Sequence, residues 1–307
     1  MTTKRLGFGD LLRAGGRAVS TYTGTLLAVF LVQTLIAMAC MVAIFVVLAQ
    51  AFSHLPMFDD AVDGDLIAIV YCVRWGKPSF LAVAGIALGG LLLWQLASWF
   101  LAGGVYGVLD QRPEGRRETA RVFGAAGAST YLAYARLALC TLPGWLLVLF
   151  VLGVGLGAVA PGLDTALTLT QVLVPLLLAM LPAVLLTHLF WTVTEYARVE
   201  LTLREHSHAP GVISTYLRTL VWVVRRPLTL LHGGFGWLAV LLVTIAYAYL
   251  AQGHPMYGPD GAVTLFLVRL GVSLLRMVIR FGVLGGQLEL GRTRPHPPIV
   301  VTLDSKS

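Results

Sequence analysis

Of the 307 residues, 57% are hydrophobic and only 12% are charged, against about a quarter charged in soluble domains, so water is not the chain's main solvent. A net charge of +7 does not point to nucleic acid, because lysines and arginines fall in short clusters between apolar runs and form no continuous basic face. Cys40, Cys72 and Cys140 stand too far apart for a CxxC metal or redox motif, and no disulfide is expected.

A bilayer core about 30 Å thick needs roughly 20 apolar helical residues. Six segments qualify, at about 24–51, 80–105, 137–160, 166–194, 228–251 and 262–288. Ala49-Gln50-Ala51 resembles a signal-peptide cleavage site, but the run before it far exceeds an h-region of roughly 7–15 residues, so it reads as a retained span. After it comes a loop containing Asp59, Asp60, Asp63, Gly64 and Asp65. These oxygens suit calcium, but the twelfth-position glutamate of an EF-hand is missing and a solvated acidic loop is the simpler reading. The apolar stretch 66–73 is too short to span and should pack on the bundle or lie in the interface.

Seventeen of the 22 basic residues fall on one side of these six spans, including Lys4, Arg5, Arg13 and Arg17 before the first and Arg112, Arg116, Arg117 and Arg121 after the second. The opposite loops hold Arg74 and Lys77, and three arginines lie inside the last span. By the positive-inside rule both termini are expected in the cytoplasm, and the chain in the cytoplasmic (inner) membrane of a bacterium.

Ser-Thr-Tyr recurs at 20–22, 129–131 and 214–216, each time ahead of an odd-numbered span. After each even-numbered span stands an acid, Asp110, Glu200 or Glu289, with arginine nearby. The fold class expected is therefore all-α, a single polytopic domain over 1–307. Its six transmembrane helices form three hairpins in a pseudo-threefold repeat, with units near 1–112, 113–204 and 205–295 and a polar tail at 296–307. Tyr196-Ala197-Arg198-Val199, a polar loop, and Ser214-Thr215-Tyr216-Leu217-Arg218 running to Arg225-Arg226-Pro227 resemble bacterial six-helix membrane domains, including the membrane module of some glycerophosphodiester phosphodiesterases. That resemblance implies a non-catalytic membrane module, since no separate phosphodiesterase domain is present.

No Walker loop, HExxH, GxSxG or Rossmann fingerprint occurs. His206 and His208 form too small a ligand set for a metal, and no cofactor is expected. Gly85-xxx-Gly89 and Gly153-xxx-Gly157 offer small faces for helix packing. In the last span Arg269, Arg276 and Arg280 share one helix face, at about 100° per residue. The simplest reading has Arg269 and Arg280 snorkelling and Arg276 paired within the protein; the functional alternative is an anion or lipid-phosphate site. Gln33, Gln95, His188 and Glu195 are the candidate intramembrane polar partners for it, and Asp110, Glu200 and Glu289 either form a solvated interfacial belt, the simpler reading, or pair with Arg112, Arg198 or Arg204, and Arg292 in a polar collar. The function expected is a non-enzymatic membrane-embedded scaffold or accessory subunit binding lipid or a partner membrane protein. The alternatives are a small transporter or channel for an anionic solute or lipid and, last, a lipid-modifying enzyme without a recognisable nucleophile or base.

Overall fold

The computed structural model describes residues 6–52, 60, 65–75, 77–163, 168–203, 211–252 and 259–294. Arg204, His206, His208, Asp59, Asp63 and the tail from 296 lie outside them. All regular structure among the described residues is helical: α1 (Phe8–Thr21), α2 (Thr23–Phe52), α3 (Leu66–Trp75), α4 (Lys77–Gln111), α5 (Arg116–Leu163), α6 (Leu169–Leu203), α7 (Val212–Arg225), α8 (Pro227–Gln252) and α9 (Pro259–Arg292).

Among the described residues five segments are long and apolar enough to cross a membrane, namely Thr23–Ala51, Leu81–Gln111, Arg116–Gly162, Thr170–Leu203 and Pro227–Ala251. This is the pattern of a multi-pass helical membrane protein, because lipid demands that backbone polar groups be satisfied within the helix. These helices are apolar around most of their circumference, with side chains such as Leu35, Phe45, Leu149 and Tyr249 exposed, as expected where the solvent is hydrocarbon. Helix α9 is 34 residues long but is not among the five; Arg269, Arg276 and Arg280 interrupt its apolar run. At about 1.5 Å per residue, the 48 residues of α5 extend well beyond one bilayer core, so its arginine-bearing first part stands outside the apolar layer. Pro143 and Pro161 in α5 and Pro175 and Pro182 in α6 each remove one backbone hydrogen bond, a loss transmembrane helices tolerate.

Contacts divide the chain into two compact units, Leu27–Leu101 and a second made of Met1–Leu26 with Ala102–Ser307. In the first, α2 meets α4 where Gly90 faces the Cys40 thiol; a Cβ at Gly90 would collide with Sγ. Gly85 and Gly89, expected at a helix interface, have open space instead. Asp65 caps α3, its Oδ1 accepting the Ile67 N–H at 2.7 Å and that of Ala68 at 3.3 Å, so one acid of the loop has a structural task.

In the second unit α5 and α6 form a hairpin, as do α8 and α9. The close approach in the former is at Gly155, where a Cβ would lie 2.6 Å from the Ala179 carbonyl, and not at Gly153 or Gly157, which are open. Helix α1 is amphipathic. Leu11, Ala14, Gly15 and Ala18 fall at i, i+3, i+4 and i+7 and make one buried face, which packs on α9 at Gly282, Gly285 and Gly286. The first part of α5 packs in the same way on the end of α4, Thr130 against Gly103 and Ala126 against Gly107. Helix α7 packs on α6, with Trp222 edge-on to Tyr196 at 5.2 Å.

Helices α1 and α7 each reach the following long helix through one residue, Tyr22 and Arg226, whereas α5 runs through unbroken. The Ser-Thr-Tyr tripeptides do not mark a common place in this plan. Ser20-Thr21-Tyr22 ends at a joint, Ser214-Thr215-Tyr216 begins near the start of α7, and Ser129-Thr130-Tyr131 lies inside α5. The repeated acids do keep a common place, within the last turn of α4, α6 and α9.

A buried carboxylate and a polar collar as the candidate functional site

The ends of α4, α6 and α9 meet around Glu195, which is 4% exposed. Its Oε2 accepts a hydrogen bond from the Tyr106 hydroxyl at 3.0 Å, and that hydroxyl also lies 3.5 Å from Gln287 Oε1. Glu195 Oε1 accepts from Arg198 Nη1 at 3.0 Å, one turn along the same helix face. Arg280 approaches the same oxygen at 4.0 Å while its guanidinium lies over the Trp191 ring at 5.4 Å. Trp191 and Glu195 are four apart on α6 and so present ring and carboxylate side by side. The Arg198 guanidinium lies over the Tyr134 ring at 5.7 Å, and the Tyr134 hydroxyl donates to the Arg198 carbonyl at 3.2 Å with Thr202 Oγ1 2.7 Å away. A carboxylate removed from water is thus held by a hydrogen bond from α4 and a charge-assisted one from its own helix, with the Arg280 charge of α9 nearby, the condition under which burying a charge is tolerable.

Beyond this network lies the collar. Arg292 bridges Asp110 Oδ1 at 2.8 Å and Glu289 Oε1 at 3.0 Å, and also donates to the Asp110 carbonyl at 3.0 Å. Arg112 reaches Glu289 Oε1 at 2.6 Å. Glu200 pairs with Arg294 at 3.4 Å, a residue just beyond α9; of the two partners expected for it, Arg198 lies on the Glu195 side of α6 and Arg204 lies outside the described residues. Arg294 donates to Thr219 Oγ1 at 3.1 Å and lies over the Trp222 ring at 5.5 Å, as does Arg226. The exposed Arg112–Glu289 pair contributes only about 0–1 kcal/mol, whereas the Glu200–Arg294 pair is buried on both sides.

The arginine face of α9 is divided. Arg269 is exposed, Arg276 is half-buried, and Arg280 is the one that reaches Glu195. Arg276 Nε is buried with no hydrogen-bond partner among the described residues, and so is Gln33 Oε1. Gln95 is half-buried and its carbonyl accepts the Ser98 hydroxyl at 2.8 Å. His188 Nε2 hydrogen-bonds across helices to the Leu230 carbonyl at 3.0 Å. Tyr106, Gln287, Trp222 and Arg294 were not singled out by the sequence; the sign that could have found the first two is that each stands within a turn of a repeated acid.

Among the described residues no group of three or more His, Cys, Asp and Glu is placed to hold a metal ion. Compared with family models, curated proteins and solved structures, the chain matches none.

Proposed function

We propose that the chain is a six-span scaffold of the bacterial cytoplasmic membrane, without catalytic activity of its own, that binds lipid or a partner membrane protein. The observation that carries this reading is the closure of its polar interior. Tyr106, Glu195 and Gln287, the residues best suited to line a path, are 0%, 4% and 3% exposed and are spent on one another. The resemblance to six-helix membrane modules agrees with this role, since Tyr196, Ala197 and Val199 of the matching stretch are buried in α6 and serve packing.

Three parallel-repeat hairpins, with α9 as the sixth crossing, fit the packing order. The amphipathic segment of the first unit lies on the last helix of the third, that of the second unit on the first, and that of the third on the second. Contacts of this recurring kind are what repeats related by an axis along the membrane normal would make. With both termini cytoplasmic, reporter fusions after Arg121 and Ser307 should read cytoplasm and one between Asp59 and Asp65 periplasm. A tail reporter that reads periplasm leaves an odd number of crossings and removes α9 from the count.

The second reading, an anion path along α9, is favoured by the unpaired Arg276 Nε, since an unpaired intramembrane arginine marks functional sites. Anion release from proteoliposomes separates the two. The scaffold should release anion no faster than protein-free vesicles, and Arg276→Leu should fold at least as well as wild type, because apolar replacement of a buried charge is often neutral or stabilising. Flux that disappears in both Arg276→Leu and Arg276→Lys would establish the path, since lysine keeps the charge and loses the planar fork.

A further inference from the structure

Where α1 turns into the first apolar span, α1, the end of α4 and α9 line a half-open pocket of about 160 Å³. Its floor is apolar, formed by Ala14, Ala18, Leu109 and Leu288, and its polar rim is Arg17, Thr21, Tyr22, Arg112 and Glu289. It adjoins a wider surface depression that adds Arg13, Asp10 and Ser20. Tyr22 directly precedes Thr23, where the apolar span begins. The pocket therefore sits at the boundary where lipid phosphates meet water.

The charges on this rim are poorly matched by acids. Arg13 and Arg17 stand four apart on one face of α1, an arrangement that repels, and neither makes an ion pair among the described residues. Asp10 is turned back to accept the Gly7 N–H at 3.0 Å, and Glu289 Oε1 is already shared by Arg112 and Arg292. Arg112 has φ +51°, the one positive φ outside glycine among the described residues. It ends α4 in the left-handed conformation, its N–H donating to the Val108 carbonyl at 3.1 Å, and its side chain lines the pocket. Burial pushes the Tyr22 phenol up, outweighing the nearby Arg112 and adding to Glu114, so the hydroxyl stays protonated and able to donate.

We propose that this pocket binds a phosphate group, that of an anionic phospholipid headgroup, gripped by Arg17 and Arg112 with Tyr22 donating a hydrogen bond and the glycerol end resting on the apolar floor. The proposal deepens the lipid-binding arm of the scaffold reading and rests on it. The test is the thermal stability of the full chain in neutral detergent, titrated with phosphatidylglycerol, phosphatidylcholine or inorganic phosphate. Phosphatidylglycerol should raise the midpoint saturably and phosphatidylcholine should not. Arg17→Gln should weaken the apparent affinity about fivefold and Arg17→Gln with Arg112→Gln about 25-fold, taking the usual contribution of a basic residue near an anionic surface. Glu289→Gln should tighten binding, because it removes the competing acid; if Glu289 only braces the helices, the same change weakens it.

Stabilisation by phosphatidylglycerol that ignores Arg17→Gln overturns this site and leaves lipid binding elsewhere intact. No response in the wild type overturns the site and the lipid arm together. Inorganic phosphate that displaces the lipid and depends on the same arginines supports the phosphate chemistry and replaces the lipid with a soluble anion.

Discussion

Gly15→Ala is expected to lower the stability of the chain by about 1–3 kcal/mol, the usual cost of forcing a methyl into a filled contact. Its neighbour Gly16→Ala is expected to be neutral or to stabilise by roughly 0.5–1 kcal/mol, because a mid-helix glycine exchanged for alanine loses less backbone entropy on folding. The two glycines are adjacent in α1 and differ in what faces them. A Cβ on Gly15 would run into the Gly282 carbonyl oxygen, whereas nothing lies within 4 Å of one on Gly16. The obstacle at Gly15 is backbone, so no side chain can turn away to make room. Two helices must separate, and neighbouring contacts open with them, because Gly285 sits under the Ala18 methyl and Gly286 under Leu11 and His232. Thermal unfolding in detergent measures the loss. Tryptic cleavage at Arg13 and Arg17 shows whether α1 has lifted off, and equal cleavage in the two variants would mean that α1 is not held by this contact.

The apolar runs were legible because lipid imposes a length and a composition on any helix that crosses it. Most of the expected spans coincide with long helices, and the short segment near 66–73 is indeed a helix too short to span. The amphipathic stripe of α1 could be read in the same way, since its apolar positions follow the helical period.

What could not be read is which face of each span turns inward. In α4, α6 and α8 apolar residues surround the helix, so the sequence carries little period from which to choose. That is why the small-residue pairs at Gly85 and Gly153 misled, the close approaches being at Gly90 and Gly155. It is also why Glu195 stood only as one of four candidate partners for Arg276, when Arg280, one turn away, is the arginine of that face that approaches it. The Ser-Thr-Tyr tripeptide shows the limit of short motifs. In α7 Tyr216 stands ten positions ahead of the joint at Arg226, while in α1 Tyr22 is the joint itself. The Glu200–Arg294 pair was hidden for another reason: Arg294 falls next to a segment that reads as polar tail, and nothing local says that it folds back onto α7.

Glu195→Leu is expected to cost about 3–5 kcal/mol, because removing one partner of a buried pair leaves the other charge without compensation. Arg198 has only 12% of its side chain exposed and would keep its positive charge beside an apolar group, while the wholly buried Tyr106 hydroxyl would lose its best acceptor. Glu195→Gln should lie between the two, since an amide oxygen can still accept from Tyr106 but brings no charge for Arg198. Arg280→Gln should cost less than about 1 kcal/mol, because that pair is long, at 4.0 Å, and the arginine is 44% exposed, the regime in which ion pairs contribute little. The double change Glu195→Leu with Arg198→Leu should recover a large part of the loss. Removing both charges abolishes the uncompensated one, and adjacent partners in one network are not additive. Thermal unfolding of the four variants in one detergent gives the comparison. If Glu195→Leu is as mild as Arg280→Gln, the carboxylate does not hold the ends of α4, α6 and α9 together, and the closed interior on which the scaffold reading depends has lost its fastening.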